Sequence, residues 1–507
     1  TRPDNRIEGL GDEGSRVDLK DETRRVIDLL AQATRDPILS SYSHYLQKLH
    51  GTESYYRDYR SFFKLINDPS VTGLQGKGLQ VFKGLLPNAE LFGKNYLNLA
   101  YIRSGWSEDD TFISFKAGNI FTHHGHYDAG HFTIFKGAPL AINSSVYKDF
   151  TGANRLNYSI RSIAKNTLLI LRPNEQVKPN RFFSPNIADG GQRITMPTGS
   201  AIQSTTHWLE NLNQGLYLKG GRLSQYDHQV DYTYINADLT DAYNTPQHDE
   251  GGSGGKVTKV VRKLLYLRDE DRLIVNDVVK TVRPEYVKKW LLHTVNRPNI
   301  ANLRLLQGNS ANGILESQAN QVRIENGRGH LLIDRIYPID GVIRLVGGPD
   351  YQYYVESDGD DTELNGENFS QGASDKPWFD VGNWRIEIQP RLLQQEDEFI
   401  VALSPSLNQP RLSQVNSMTA LTSNAKGVIT DQSMVVFINR GVEKEARFMI
   451  PVRTKVSKLF VVGLSELEKV ELRIGNQHFT ETVNINGMLQ INLNVLQKAS
   501  EAKLSWF

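Results

Sequence analysis

Residues 257–282 read VTKVVRKLLYLRDEDRLIVNDVVKTV, and this stretch decides the fold class. Val257 to Leu267 and Leu273 to Val282 are runs rich in β-branched and aliphatic residues, and a short charged segment with two aspartates separates them. Runs of this kind between turn-forming residues are typical of β-strands. The stretch therefore predicts two strands of an all-β region.

Similar runs occur on both sides of this stretch. Thr111 to Phe115, His131 to Phe135 and Thr167 to Leu171 precede it, and comparable runs continue as far as Ile400. About 300 residues thus carry strands, whereas a single small sandwich holds about 100 residues. We therefore predict that residues 101–409 form a large antiparallel β-sandwich, or two sandwiches.

The two flanking regions have different patterns. Residues 1–100 show apolar positions at helical spacing, as in Val26, Leu29 and Leu30. A few helices of this length need another surface to cover their apolar faces, so we interpret this segment as the end of a helical domain. Residues 410–507 again carry short apolar runs and predict a smaller C-terminal β domain.

Composition excludes several classes of protein. Among 507 residues, 58 Lys and Arg oppose 57 Asp and Glu, so the net charge of +1 gives no reason to expect a nucleic-acid partner. The absence of cysteine excludes disulfides and thiol chemistry. No apolar run approaches the ~18 residues of a membrane span, so no membrane partner is expected. Because the chain opens with Thr1-Arg2-Pro3, we expect that an upstream part has been removed.

A cluster of histidines is the strongest chemical signal. Four of the twelve histidines fall within residues 122–132, which read THHGHYDAGHF. Imidazole with a nearby carboxylate predicts proton transfer, metal binding or both, and the alternative is a polar run that hydrogen-bonds to loop backbone. On an extended segment His124 and His126 share one face and His123 points to the other. We therefore take His124 and His126 as the working pair.

Four stretches together resemble a known family. They are residues 103–106 (RSGW), 124–130 (HGHYDAG), 135–147 (FKGAPLAINSSVY) and 163–169 (IAKNTLL). In this combination the chain resembles the heparinase II/III-like polysaccharide lyases, which include alginate and heparin lyases. The resemblance implies an α/α toroid followed by a large antiparallel β-sandwich, with residues 1–100 as the last part of the toroid.

The activity that the resemblance implies is β-elimination on a uronic-acid-containing glycan, alginate-like or heparin-like, by a secreted or periplasmic enzyme. The enzyme must neutralise the uronate carboxylate, place a base at C5 and donate a proton to the leaving oxygen at C4. The resemblance gives a catalytic role to His124, beside a Tyr and an Asn or His of the toroid. We expect those residues upstream of Thr1 or on another chain, and Tyr158 is the local candidate for a phenol in the cleft.

The resemblance also implies a structural divalent ion held by His126, an Asp and a His. Here Asn143 and Lys165 stand at the two other positions, so we expect no cofactor, with a zinc-like ion at His126 as the alternative. We predict instead that the Lys165 ammonium takes the place of the ion and pairs with Asp128 or Asn143. The alternative is that Lys165 points to solvent.

Three further residues are candidates for binding an acidic polysaccharide. Arg103 could bind a carboxylate, Trp106 could stack on a sugar ring, and Arg161 could contribute positive charge. A competing hypothesis is a non-catalytic glycan-binding or structural sandwich that has lost the metal site. A glycoside hydrolase needs two opposed carboxylates, and we find no convincing pair in the sequence.

Overall fold

The structure is a computed structural model, and in the part of the chain that it describes two helices precede the strands. It describes residues 2–4, 6, 8, 11, 21–50, 84, 86–119, 125–146, 152–173, 175, 188–192, 204–213, 220–244, 255–356, 366–370, 380–412, 415–451, 456–493 and 499–507. Helix α1 spans Asp21–Thr34 and α2 spans Pro37–His50. The Asp36 carboxylate caps α2 by accepting the N–H groups of Ile38 and Leu39, at 2.8 and 2.9 Å.

Strands dominate the remaining described residues. Up to residue 407 they are β1 (Ala89–Phe92), β2 (Leu99–Arg103), β3 (Phe112–Lys116), β4 (His131–Phe135), β5 (Pro139–Ala141), β6 (Leu168–Leu171), β7 (Arg222–His228), β8 (Tyr232–Asp238), β9 (Val257–Leu267), β10 (Arg272–Thr281), β11 (Val287–Thr294), β12 (Asn299–Ile300), β13 (Arg304–Gly308), β14 (Gly313–Ser317), β15 (Gln321–Asn326), β16 (Gly329–Tyr337), β17 (Val342–Gly347), β18 (Tyr354–Glu356), β19 (Gly366–Asn368), β20 (Trp384–Gln389) and β21 (Glu396–Leu407). The last part of the chain adds β22 (Asn416–Ser417), β23 (Ala425–Ile429), β24 (Ser433–Ile438), β25 (Glu445–Ile450), β26 (Lys458–Val462), β27 (Lys469–Ile474), β28 (Gln477–Thr482), β29 (Met488–Asn492) and β30 (Ser500–Trp506). The prediction of a mainly β fold is confirmed.

Three antiparallel sheets enclose the main core. Strands β1 to β5 form one sheet in sequence order, an eight-stranded sheet has the order β12-β15-β16-β21-β10-β9-β8-β7, and a six-stranded sheet has the order β13-β14-β17-β20-β11-β6. Their apolar side chains meet in one cluster, with Trp290 from β11 fully buried in it. Burying a large apolar side chain stabilises the fold by about 1.5–3 kcal/mol. This is the packing of a β-sandwich.

The stretch 257–282 lies at the centre of the eight-stranded sheet as the hairpin β9–β10. Both faces of this hairpin are covered. Leu264 and Val275 point into the sandwich core, whereas Leu265 and Ile274 join a second cluster with residues of the C-terminal strands. This explains why the stretch is a nearly continuous apolar run.

The C-terminal strands form two further sheets, β22-β23-β24-β26-β29 and β25-β30-β27-β28. Their facing side chains share a separate core that includes Phe448 and Trp506. β24 and β26 pair in parallel, in contrast to the antiparallel pairs of the sandwich. The break between the two regions falls between β21 and β22, after Leu407.

Two expectations about helices need correction. Residues 1–100 were expected to be helical throughout, yet β1 begins at Ala89 and β2 at Leu99. β1 has four residues, which is too short for an alternating pattern to stand out beside helical spacing. The region 101–409 also contains helix α3 (Thr205–Asn213) and the one-turn helix α4 (Thr240–Tyr243). Residues 51–83 lie outside the described residues, and nothing in the structure tests the predicted toroid.

Candidate functional site

The histidine run lies between β3 and β4. His123 and His124 fall outside the described residues, so the catalytic role of His124 stays a prediction. The segment is described again from Gly125, and His126 is buried with 1% of its surface exposed. The N–H of Tyr127 donates to the carbonyl of Ile160 at 2.8 Å, which fixes the end of the run against the segment 155–165.

His126 contacts the side chain of Lys165. Lys165 is fully buried, and its Nζ lies 2.9 Å from His126 Nδ1, 2.9 Å from Asn143 Oδ1 and 2.9 Å from the carbonyl oxygen of Ser159. Nζ also donates to Ser145 Oγ. We call these four partners with Lys165 the lysine cage. The alternative in which Lys165 points to solvent is wrong.

Three backbone segments are held together around the lysine cage. The N–H of Ser144 donates to the carbonyl of Ala164 at 3.1 Å, and Ser145 Oγ donates to the carbonyl of Ser159 at 2.5 Å. Asn143 Oδ1 also accepts the N–H of Ser145 at 3.1 Å. A π-helical turn at Arg155–Ser159 brings the Ser159 carbonyl to this point.

Asp128 has a different partner from the one predicted. Its carboxylate lies 2.7 Å from Nζ of Lys116, and both side chains are buried. Lys116 is the last residue of β3, and Asp128 lies in the turn before β4, so the pairing of these two strands brings them together. The predicted pair of Lys165 with Asp128 is therefore not formed, whereas the contact of Lys165 with Asn143 is present.

A buried arginine supports the same loops from the eight-stranded sheet. Arg262 on β9 is fully buried and forms two hydrogen bonds with Asp277, at 2.7 and 2.8 Å. Its guanidinium also donates to the carbonyls of Gly130 and Asn166, at 2.5 and 2.7 Å. Gly130 has φ +83, and a Cβ there would lie 2.5 Å from Leu239, so this turn requires glycine. Sequence reasoning missed Arg262, because an arginine within a strand usually lies at the surface.

Asn166 connects two buried histidines beside the lysine cage. Its N–H donates to His131 Nδ1 at 2.9 Å, and its Oδ1 accepts from the N–H and Nδ1 of His293, at 2.8 and 3.1 Å. Burial lowers the pKa of both histidines well below the usual value, and the nearby charge of Lys165 adds to this effect. Both imidazoles are therefore neutral near pH 7. His293 lies far away in sequence, so only strand pairing could reveal its position.

Tyr158 is placed in the core. Its side chain is fully buried, its hydroxyl lies 2.9 Å from Ser144 Oγ, and its ring packs edge-on against Tyr353 with centroids 5.2 Å apart. Burial raises the pKa of its phenol. The predicted role of Tyr158 as a phenol in an open cleft disagrees with this position, because a polymer cannot reach a buried hydroxyl. Its part in the site is to pack one side of the segment that carries Ser159.

Arg161 was predicted to bind substrate, and the structure buries it instead. Its guanidinium lies 3.0 Å from the carboxylate of Asp189, and both side chains are at most 3% exposed. Asp189 also accepts the N–H groups of Ile163 and Gly191, at 3.4 and 3.1 Å. This ion pair fixes the loop before β6, so a surface role for Arg161 is wrong.

Arg103 and Trp106 contact each other. The guanidinium of Arg103 lies 4.2 Å from the Trp106 ring centroid and 4.8 Å from that of Phe112. Arg103 is buried, and burial lowers its pKa to about 10. Trp106 remains half-buried. Their proposed contact with a sugar stays a prediction, and Trp106 offers the more accessible surface.

The residues of the lysine cage do not fit a divalent metal ion. A zinc or calcium ion would have to share His126 Nδ1 and Asn143 Oδ1 with an ammonium that already lies 2.9 Å from each. Among the described residues, no group of three or more His, Cys, Asp or Glu side chains is arranged to hold a metal. No helix in the described part of the chain is long and apolar enough to cross a membrane.

Comparisons with known proteins give similarity at the level of solved structures. No family model and no curated protein matches the chain. The heparan sulfate lyase HepC from Pedobacter heparinus aligns with a TM-score of 0.47 and 11% identity, over 85% of this chain and 49% of its own. A heparinase III with methylated lysines aligns with a TM-score of 0.48 and 8% identity, over 97% and 50% of the two chains. Another heparinase III aligns with a TM-score of 0.45 and 11% identity, over 97% of this chain and 52% of its own. The chain thus spans about half the length of these proteins.

Proposed function

We propose that this chain is part of a secreted or periplasmic polysaccharide lyase that cleaves a uronic-acid-containing glycan, alginate-like or heparin-like, by β-elimination. One observation supports the proposal most. The stretches 124–130, 135–147 and 163–169, which carry the resemblance to heparinase II/III-like lyases, converge on the lysine cage through His126, Asn143 and Lys165. The residues that make the sequence resemble a lyase therefore also form one compact site.

The chemistry assigns His124 to the reaction and the lysine cage to its support. The C5 proton of a uronate is weakly acidic, so a base or a carboxylate neutraliser must be held in place at C5. His124 lies two residues before His126, whose side chain the cage fixes. Tyr158 is buried, so we propose that the phenol and the amide or second imidazole come from other residues, on a toroid of the same protein or on another chain.

The test is product analysis with the natural full-length protein on alginate and on heparin-like glycans. We expect an unsaturated uronyl end that absorbs in the ultraviolet. His124→Ala should lower this rate by about a hundredfold to ten-thousandfold, and the matched control His123→Ala should lower it much less. Release of saturated ends alone would exclude the lyase reaction, and equal losses at the two histidines would exclude the assignment to His124.

A non-catalytic glycan-binding sandwich is the second candidate. The observation that favours it is the buried ammonium at the place where the resemblance implies a metal ion. Binding of an acidic glycan without any ultraviolet-absorbing product, in both the natural protein and His124→Ala, would favour this candidate over the lyase.

A further inference from the structure

We infer that the Lys165 ammonium is the permanent cation of this site, in the position that the resemblance gives to a divalent ion, and that it holds His126 in the tautomer protonated at Nε2. The inference concerns how the site is built, and it holds whether or not the protein cleaves a glycan. Lys165 is thus a positioning residue for the end of the histidine run.

The hydrogen bonds around Lys165 all point toward its nitrogen as the donor. Asn143 Oδ1 and the Ser159 carbonyl can only accept, so two N–H groups of Lys165 donate to them at 2.9 Å. The Ser145 hydroxyl donates its own proton to the Ser159 carbonyl, so it presents lone pairs to Nζ. Three oxygens therefore direct lone pairs at one nitrogen, which is the arrangement that a cation requires.

His126 is the fourth partner of Lys165. An ammonium has no lone pair to offer, so at 2.9 Å His126 Nδ1 must present its own lone pair to Lys165, and it shares the third N–H group of the ammonium with Ser145 Oγ. The ring is then neutral and carries its proton on Nε2. In metal sites the ion fixes the orientation of its histidine ligands, and Lys165 does so here through a hydrogen bond.

The charges around the lysine cage also favour a lysine over a metal ion. The carboxylate of this loop, Asp128, pairs with Lys116 at 2.7 Å, and an amide, Asn143, stands where the resemblance implies a carboxylate. The partners of Lys165 include an amide, a hydroxyl, a carbonyl and an imidazole. This set suits a single positive charge that is attached to the chain, whereas a divalent ion prefers anionic ligands.

The test begins with the unmodified protein, so it does not depend on a variant that fails to fold. Elemental analysis should find no stoichiometric zinc, and a chelator should leave the melting temperature unchanged. Nitrogen-15 histidine spectra, with His126 assigned from a His126→Gln variant, should show the tautomer protonated at Nε2. About one zinc ion per chain, a chelator-sensitive melting temperature or a His126 ring protonated at Nδ1 would overturn the inference.

Variants then distinguish the effect of the lysine charge from the effect of its side-chain packing. Lys165→Met keeps a similar length and should change the His126 signals, whereas the control Lys458→Met, which removes a lysine of an exposed ion pair, should leave them unchanged. Lys165→His combined with Asn143→Asp should bind about one zinc ion per chain and gain melting temperature with zinc. Failure of this double variant to bind zinc would show that the position is not a metal-like one. A zinc-free protein without lyase activity would refute the proposed function and leave this inference intact.

Discussion

Two buried lysines in this molecule are stabilised in opposite ways. The described contacts of Lys165 are with uncharged groups, namely His126, Asn143, Ser145 and the carbonyl of Ser159. Lys289 on β11 contacts the carboxylates of Glu356 and Glu387. Both side chains are at most 1% exposed.

The difference shows what each site is built to do. At Lys289 opposite charges compensate one another, and Arg385 extends the network by donating to Glu387 at 2.7 Å. The network joins β11 and β20 to the strand β18, so its effect is structural. At Lys165 the described partners are uncharged groups whose dipoles point at one charge, in contrast to the carboxylates around Lys289. The two sites should therefore respond differently when the lysine or its charge is changed.

The largest effect is expected for Lys289→Met. This change leaves the buried carboxylates of Glu356 and Glu387 without the lysine that neutralises them. Removing one partner of a buried ion pair costs about 3–5 kcal/mol of unfolding free energy. Urea denaturation monitored by tryptophan fluorescence measures this loss. Adding Glu356→Gln to Lys289→Met should recover part of it, and a loss below about 1 kcal/mol would show that the ion network contributes little.

Acid should lower the unfolding free energy through His131 and His293 before it protonates the carboxylates of the Lys289 network. The pKa of His131 and of His293 is lowered well below 6.5 by burial, so only the unfolded chain gains these protons as the pH falls below about 6.5. Stability should then fall by about 2–3 kcal/mol in total between pH 7.5 and 5.5. Glu387 has a pKa lowered to about 2, so its contribution is present above about pH 4.5 and is lost between there and pH 2.

Unfolding free energies at pH 7.5, 6.5 and 5.5 measure this dependence. His293→Asn should reduce the slope by about half, because one of the two titrating histidines is removed. If the slope stays unchanged in that variant, the histidines are not its cause. A transition that begins only below pH 4.5 would assign the acid sensitivity to carboxylates instead.

A smaller loss is expected for Lys165→Met. The change removes the charged donor from Asn143 Oδ1 and from the Ser159 carbonyl, which keep their hydrogen bonds from Ser145. A lost hydrogen bond to a charged group costs about 1.5–3 kcal/mol, offset in part because a buried charge is removed. We expect a net loss of about 1–3 kcal/mol. Lys116→Met is the informative comparison, since it isolates the buried carboxylate of Asp128 and should cost more. A larger loss of unfolding free energy in Lys165→Met than in Lys116→Met would show that the charge of Lys165 matters more to this loop than the pair of Lys116 with Asp128.

The sequence allowed the fold to be predicted better than the site. The run 257–282 predicted strands because both faces of β9 and β10 are covered by apolar neighbours, and a buried strand is apolar on both faces. Where a strand is short, as in β1, the pattern gave no signal, and the helical expectation extended too far.

The contacts of the candidate site could be predicted only where the resemblance itself placed the residues together. The stretches with His126, Asn143 and Lys165 indicated a shared neighbourhood through the resemblance. The partner of Asp128 depends on the pairing of β3 with β4, which no local pattern reveals. Arg161 was assigned to substrate and Tyr158 to the cleft because of their residue types and their position after the histidine run, but both side chains are buried in the packed interior.

The smallest loss of stability is expected for a change at Lys458, which contacts two carboxylates, as Lys289 does. Its Nζ lies 2.7 Å from Asp231 and 2.7 Å from Asp269, and it links β26 to the turns after β7 and β9. The hydrogen bond with Lys458 lowers the pKa of Asp231, so the carboxylate is charged at neutral pH. Water reaches this group, however, because the side chains of Lys458, Asp231 and Asp269 are 22%, 34% and 54% exposed. Exposed ion pairs contribute about 0–1 kcal/mol and are screened by salt.

Lys458→Met should therefore lower the unfolding free energy by less than about 1 kcal/mol at low salt and by almost nothing at 1 M salt. Lys289→Met should lower it by the same amount at both salt concentrations. Urea denaturation of both variants at the two salt concentrations tests this, and a loss at Lys458 as large as that at Lys289 would mean that the number of carboxylates, rather than their burial, sets the cost.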